Sequence, residues 1–187
     1  MTYTYLLIAG VVLWWAAHLF KRVAPNARQA LGTAGNPIMA VAIILSVVLM
    51  VVGYRGAEGA FYWGPSPMWV GINNLLMIAA FYFFAASAAK GAKIWLGTKV
   101  RHPQLTGFSI WAGAHLLVNG DTPSFILFGG LLVWAVVEIL LINAQEGPWE
   151  RPARAPAKKE IVAIVVTVVF VIVVMAIHYA LGVSPVG

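Results

Sequence analysis

Six predominantly apolar stretches constrain this chain more than any other feature: Tyr3–Phe20, Pro37–Tyr54, Met68–Ala89, Leu105–Val118, Ser124–Asn143 and Ile161–Leu181. A helix that crosses a bilayer needs about 20 such residues, with a range of ~17–25. Five stretches reach that length and the fourth falls short. Lipid offers nothing to pair an open backbone, so segments of this kind are helical, and the alternation of a membrane β-barrel is absent. Only 10% of the residues are charged, against about 25% in soluble domains. So little charge cannot cover a water-facing surface. The expected fold is therefore all-α: an integral membrane protein, a bundle of six transmembrane helices in one membrane domain over residues 1–187. The absence of cysteine excludes a disulfide scaffold, a thiolate metal site and a covalently attached c-type haem.

The charges supply an orientation. Lys21, Arg22 and Arg28 follow the first stretch; Lys90, Lys93, Lys99 and Arg101 follow the third; Arg151, Arg154, Lys158 and Lys159 follow the fifth. The opposite loops hold only Arg55. Basic loops stay in the cytoplasm, which puts both termini on the outer, periplasmic side. The formal charge of +6 then reflects topology, and nucleic acid is not an expected partner. The first stretch has no basic region before it, so it reads as a retained helix rather than a signal peptide.

The loops carry their own signals. Phe61, Tyr62 and Trp63 look like interfacial anchors. Asn119-Gly120-Asp121-Thr122-Pro123 reads as a tight turn in which Asp121 or Thr122 caps the next helix, with Pro123 in its first turn. Asn143–Glu160, with three prolines and mixed charge, reads as a flexible connection.

Polar residues at membrane depth mark candidate chemistry, because an ionisable group there costs at least ~2.5–3.5 kcal/mol on insertion scales. They are His18, Asn73, Asn74, His115, Glu138 and His178, with His102, Asn119 and Asp121 at the edges. Neutral imidazole is a good axial ligand, and histidines in a chain without cysteine suit haem b; each equally suits a hydrogen bond between helices. At ~1.5 Å per residue, His102 lies at the cytoplasmic edge, His18 about 3–8 Å below it, His115 about 15 Å in and His178 about 26 Å in. His18 and His178 thus cannot share a metal. Depth leaves open whether His18 pairs with His115 or with His102.

Faces add to this. Phe108, Ala112, His115 and Asn119 recur along one stripe of the fourth segment; Val11, Trp14 or Trp15, His18 and Arg22 form one on the first. Arg22, Arg28 and Arg101 gather on the cytoplasmic side, suited to propionates or phosphates and equally to plain anchoring. Glu138 is expected to pair with Asn or Trp on another helix.

Arg101-His102-Pro103-Gln104-Leu105-Thr106-Gly107-Phe108, continuing through Trp111-Ala112-Gly113-Ala114-His115-Leu116-Leu117-Val118-Asn119-Gly120-Asp121, resembles the signature of the NnrU family. So does a first helix ending in His18 with a basic residue shortly after it and Leu31-Gly32 beyond. The resemblance runs from about Leu6 to Glu146, with the last transmembrane helix, 161–181, beyond it. It implies a bacterial inner (cytoplasmic) membrane protein linked to nitrite and nitric oxide metabolism in denitrifiers. The family includes the plant zeta-carotene cis–trans isomerase, a haem b enzyme. Carried over by motif, its axial histidines correspond to His18 and His115, which resolves what depth left open. Arg22, Arg101, His102 and Asn119 are the implied surrounding cofactor-binding residues, with nitric oxide or a lipid-soluble polyene as ligand. The isomerase's cysteine three residues before the second histidine is Ala112 here, so a ligand change through that thiolate does not carry over.

Two other classes fit parts of the chain. Arg101, His102, Pro103 and Gly107 also match a pattern of membrane methyltransferases that use S-adenosylmethionine, but Glu138 stands alone where paired glutamates are expected. A non-catalytic assembly or regulatory subunit would use Gly107, Gly113, Ala114, Gly129 and Gly130 for close helix contact with a membrane-protein partner.

Overall fold

The computed structural model describes residues 1–88 and 91–185. Ala89, where the third stretch was expected to end, and Lys90 of the basic set lie outside them. Among the described residues there are eight α-helices: α1 (Thr2–Val23), α2 (Pro25–Ala30), α3 (Gly35–Gly56), α4 (Pro67–Ser87), α5 (Pro103–Val118), α6 (Thr122–Ser124), α7 (Gly130–Glu146) and α8 (Ala157–Ala180). Two short strands, β1 (Phe61–Trp63) and β2 (Gly120–Asp121), pair antiparallel, so the fold is not purely helical.

Among the described residues, five helical segments are long and apolar enough to cross a membrane: α1, α3, α4, the continuous run from Thr122 to Glu146, and α8. The fourth expected span is α5, whose 16 residues cover about 24 Å, short of a ~30 Å hydrocarbon core. It packs between α4 and α7. Only Gly107, Ala112 and Ala114 of α5 are buried, so it is flanked by its neighbours rather than enclosed by them.

Small residues set the closest helix contact. At Gly10 of α1, an added Cβ would lie 2.8 Å from the Met50 nitrogen and 2.9 Å from the Ser46 oxygen of α3; at Gly53 it would run into the Leu7 backbone. Without a hydrophobic drive between helices in lipid, such close approach supplies the dispersion contact that holds them. Leu7, Val11, Met50 and Leu131 form the buried cluster beside this seam, and Trp15 Nε1 donates to the Gly130 carbonyl at 3.0 Å.

The run from Thr122 does not continue as regular α-helix. Asp121 caps it, accepting from the Ser124 N–H at 2.7 Å with proline in the first turn, as the sequence indicates. A π-helical segment, Phe125–Gly129, then precedes α7. The turn packs onto β1. Trp63 Nε1 donates to the Leu116 carbonyl at 3.0 Å, and a Cβ at Gly120 would collide with the Trp63 ring. Phe61, Tyr62 and Trp63 are exposed, as interfacial anchors would be, but they also build this ribbon. Replacing Asp121 by Ala is expected to cost about 1 kcal/mol, read as a lowered thermal midpoint in detergent, with helix content retained.

At the opposite end the basic loops converge. Lys93 N–H donates to the Ala153 carbonyl at 2.9 Å and Ala155 N–H returns to the Lys93 carbonyl at 2.7 Å. The Glu160 carboxylate accepts from the Trp95 N–H at 3.0 Å and from the Tyr82 hydroxyl. The connection after Asn143, expected to be flexible, is therefore docked: α7 extends to Glu146 and the following loop is stapled to the 91–95 segment. α8 packs against α4 through Ala163 and Thr167 and leaves most of its Val and Ile side chains exposed, as a lipid-facing helix would.

Candidate functional site

An aromatic cluster joins α1, α5 and α7. His18 lies tilted against Trp14 at a ring distance of 4.0 Å and meets Trp134 edge-on at 4.9 Å. Phe108 touches Trp14, Trp134 and Trp111 at 5.9, 5.2 and 5.1 Å. Trp111 leads to His115 at 5.1 Å, and Phe128 stacks on His115 at 4.7 Å. Phe128 comes from the π-helical segment, whose wider turn puts it there. π-Helical turns recur at functional sites.

Both histidines are oriented alike. Nδ1 of His18 pairs with the Trp14 carbonyl and Nδ1 of His115 with the Trp111 carbonyl, each at 2.9 Å. A carbonyl only accepts, so the proton resides on Nδ1 and Nε2 keeps its lone pair. A metal-binding imidazole is commonly fixed this way by a carbonyl behind it. His178 makes the same bond to the Val174 carbonyl at 2.8 Å. His115 lies one turn before the end of α5, whereas His18 lies toward the basic end of α1. The two imidazoles share no ring neighbour, and Trp14, Phe108 and Trp111 stand in sequence between them.

The other expected site residues divide into two groups. Arg22 bonds Glu146 Oε1 at 2.8 Å, and Arg101 reaches Glu146 Oε2 at 3.5 Å and the Gly147 carbonyl at 2.6 Å. Glu146 thus bridges the two guanidinium groups, and its single negative charge leaves the trio with a net positive charge. Arg28 is not with them; it bonds Asn36 Oδ1. His102, the N-cap residue of α5, pairs through Nε2 with Asn143 Oδ1 at 2.9 Å. Asn119 closes the far end of α5 by donating to the His115 carbonyl at 2.8 Å. Arg22, Arg101 and His102 therefore share the basic end, and Asn119 sits with His115 at the other.

Thr106 and Asn119 bond carbonyls at the two ends of α5, but the α1–α7 seam does not satisfy itself. Five buried side-chain polar atoms among the described residues lack a protein partner, and four are on these two helices: Trp14 Nε1, Arg22 Nε, Trp134 Nε1 and Glu138 Oε2. Trp14, His18 and Arg22 follow at intervals of four on α1; Trp134 and Glu138 do so on α7. Glu138 is only 6% exposed. The expectation that its carboxyl pairs with Asn or Trp is not met at Oε2. Even so, two unpartnered indole N–H groups share its seam. Buried polar groups are nearly always paired, so such a concentration marks a place that protein atoms alone do not complete. The sequence reading passed over Trp134, Phe128 and Glu146; the i, i+4 spacing of Trp134 and Glu138 was the available signal. Among the described residues, no group of three or more His, Asp or Glu is placed to hold a metal ion, so an iron here would depend on a pair of imidazoles.

The fold and this seam define a polytopic helical membrane protein with two oriented imidazoles in an aromatic interior. The chain belongs to the NnrU family: the family model described as NnrU protein matches residues 6–185, so the match takes in α8, well past the Glu146 limit of the motif resemblance. No curated protein and no solved structure matches it significantly.

Proposed function

We propose that this NnrU-family protein crosses the bacterial inner membrane six times, with α5 as the short internal span, its basic loops in the cytoplasm and both termini outside. In this reading it binds haem b through His18 and His115 and acts on a small ligand such as nitric oxide. The observation that carries the reading is the shared posture of the two imidazoles, each with Nδ1–H on the carbonyl one turn back and Nε2 left for another partner. The donor chemistry fits the group. Two neutral nitrogen ligands, aromatic walls and unpartnered indole N–H groups suit a flat macrocycle with polar edges. Holding one iron with both imidazoles requires the Trp14–Phe108–Trp111 contacts to open.

When bound, haem supplies an iron for redox chemistry or for a diatomic ligand. The chain's own residues then do the rest. The Trp14 and Trp111 carbonyls keep His18 and His115 in one tautomer. Phe108, Phe128 and Trp134 exclude water. Glu146 holds Arg22 and Arg101 at the basic end, from which the Arg22 guanidinium can turn to a carboxylate. Isomerisation of a lipid-soluble polyene is the finer alternative within the family. The fully buried Ala112 offers no thiolate for it. An S-adenosylmethionine site gains no support, because the cavity beside Arg101 and His102 has no acidic lining side chain to pair the cationic cofactor.

The test is a reduced-minus-oxidised spectrum of protein purified in mild detergent from haem-supplemented cells. A Soret band shifting on reduction is expected, with an iron-to-protein ratio near one. Colourless protein under these conditions overturns the reading.

A further inference from the structure

A second site lies where no spanning segment needs one. A cavity of about 300 Å³ opens at the basic end, walled by Ser87 from the end of α4, Lys93, Arg101 and His102 from the following loop, Gln104 from the first turn of α5, and Trp149 from the loop after α7. Its lining holds two basic side chains, Lys93 and Arg101, and no carboxylate. Two walls are locked together by the paired backbone bonds between Lys93 and residues 153 and 155. Gly97 keeps this loop tight: a Cβ there would lie 2.9 Å from the Lys93 Cβ and 3.1 Å from the Ala86 carbonyl. Lys93 Nζ is held over the end of α4 by the Ser87 carbonyl at 3.2 Å. The first turn of α5 contributes backbone N–H groups at the positive end of a 16-residue helix dipole. Cationic side chains, amide donors and a flat indole converge here at the level where the spanning helices end.

We propose that this cavity binds the phosphate of an anionic ligand, carried by a phosphodiester lipid headgroup or by a free phosphate-bearing small molecule. The inference does not depend on haem. Lys93 and Arg101 supply charge, the α5 N-terminus and Gln104 supply directed donors, and Trp149 covers the organic part of the ligand. Arg101 needs no freedom for this, since its bonds to Gly147 and Glu146 fix it at the cavity wall.

The experiment uses the full chain in nanodiscs and in detergent. Native mass spectrometry compares retention of phosphatidylglycerol with that of phosphatidylcholine, and thermal midpoints are read with inorganic phosphate and with pyrophosphate. Phosphatidylglycerol is expected to be retained over phosphatidylcholine, and Lys93→Gln to lose about tenfold of that preference, as removal of one charge-assisted hydrogen bond would. Trp149→Leu leaves the charge intact and is expected to weaken binding too, whereas Lys158→Gln on α8 is expected to leave it unchanged. Stabilisation by phosphate or pyrophosphate without lipid selectivity assigns the site to a soluble ligand; lipid selectivity alone assigns it to a headgroup. The proposal is overturned if neither probe distinguishes wild type from both cavity variants. Equal loss in Lys158→Gln, which would indicate general surface charge, also overturns it. Circular dichroism and the thermal midpoint without added ligand report whether each variant is folded.

Discussion

His18→Ala and His115→Ala are each expected to abolish stable haem retention, with the Soret band of the purified protein falling at least about tenfold. Outer-shell partners of a metal ligand alone are worth about 10–100-fold in affinity, so loss of the ligand itself does not cost less. The informative comparison is His178→Ala. His178 makes the same Nδ1 bond to the carbonyl one turn back, so it is equally preset as a ligand. It differs in lying on α8, outside the ring cluster. Retained colour in His178→Ala with loss in the other two assigns both axial positions. Retained colour in His18→Ala, with loss in His178→Ala, would instead move the second ligand to α8 and sink the His18 assignment. Far-UV circular dichroism separates loss of haem from loss of fold.

The second large effect is structural. Gly10→Val and Gly53→Ala are each expected to destabilise the α1–α3 pair by about 1–3 kcal/mol, the usual cost of overpacking a close contact. At both positions the obstacle is backbone of the facing helix, which cannot rotate away as a side chain tip can. Gly71→Ala on α4 is the control, since nothing lies within 4 Å of the added methyl, and a neutral or slightly raised thermal midpoint is expected. An unchanged midpoint in Gly53→Ala would mean that the two helices do not approach as closely as described. Because α1 also carries Trp14 and His18, the Gly53 variant is further expected to weaken haem retention without touching a ligand.

Much of the fold was legible in the sequence because the bilayer enforces it. Five segments had to be long apolar helices, and each is. The Asp121 cap and Pro123 followed from the unpaired amides of a helix start. The family, too, was legible, since Arg101-His102-Pro103 and the His115 segment are specific strings. Pairing across space was not. Glu146 has nothing in its local sequence to nominate it, and it matters only because Arg22 and Arg101 arrive on either side of it. The docked loop after α7 had the composition of a flexible linker; two backbone hydrogen bonds to Lys93 decide otherwise.

The sequence by itself determined the solvent, the helical character and the positions of the scarce polar residues, because desolvation acts on each segment independently of its neighbours. Only the tertiary structure decided which rings separate His18 from His115, which polar atoms on α1 and α7 lack partners, and that the basic loops close a cavity. Those depend on helix crossing and rotation. In lipid these are set by close packing between distant segments such as Gly10 and Met50, and no local pattern encodes them.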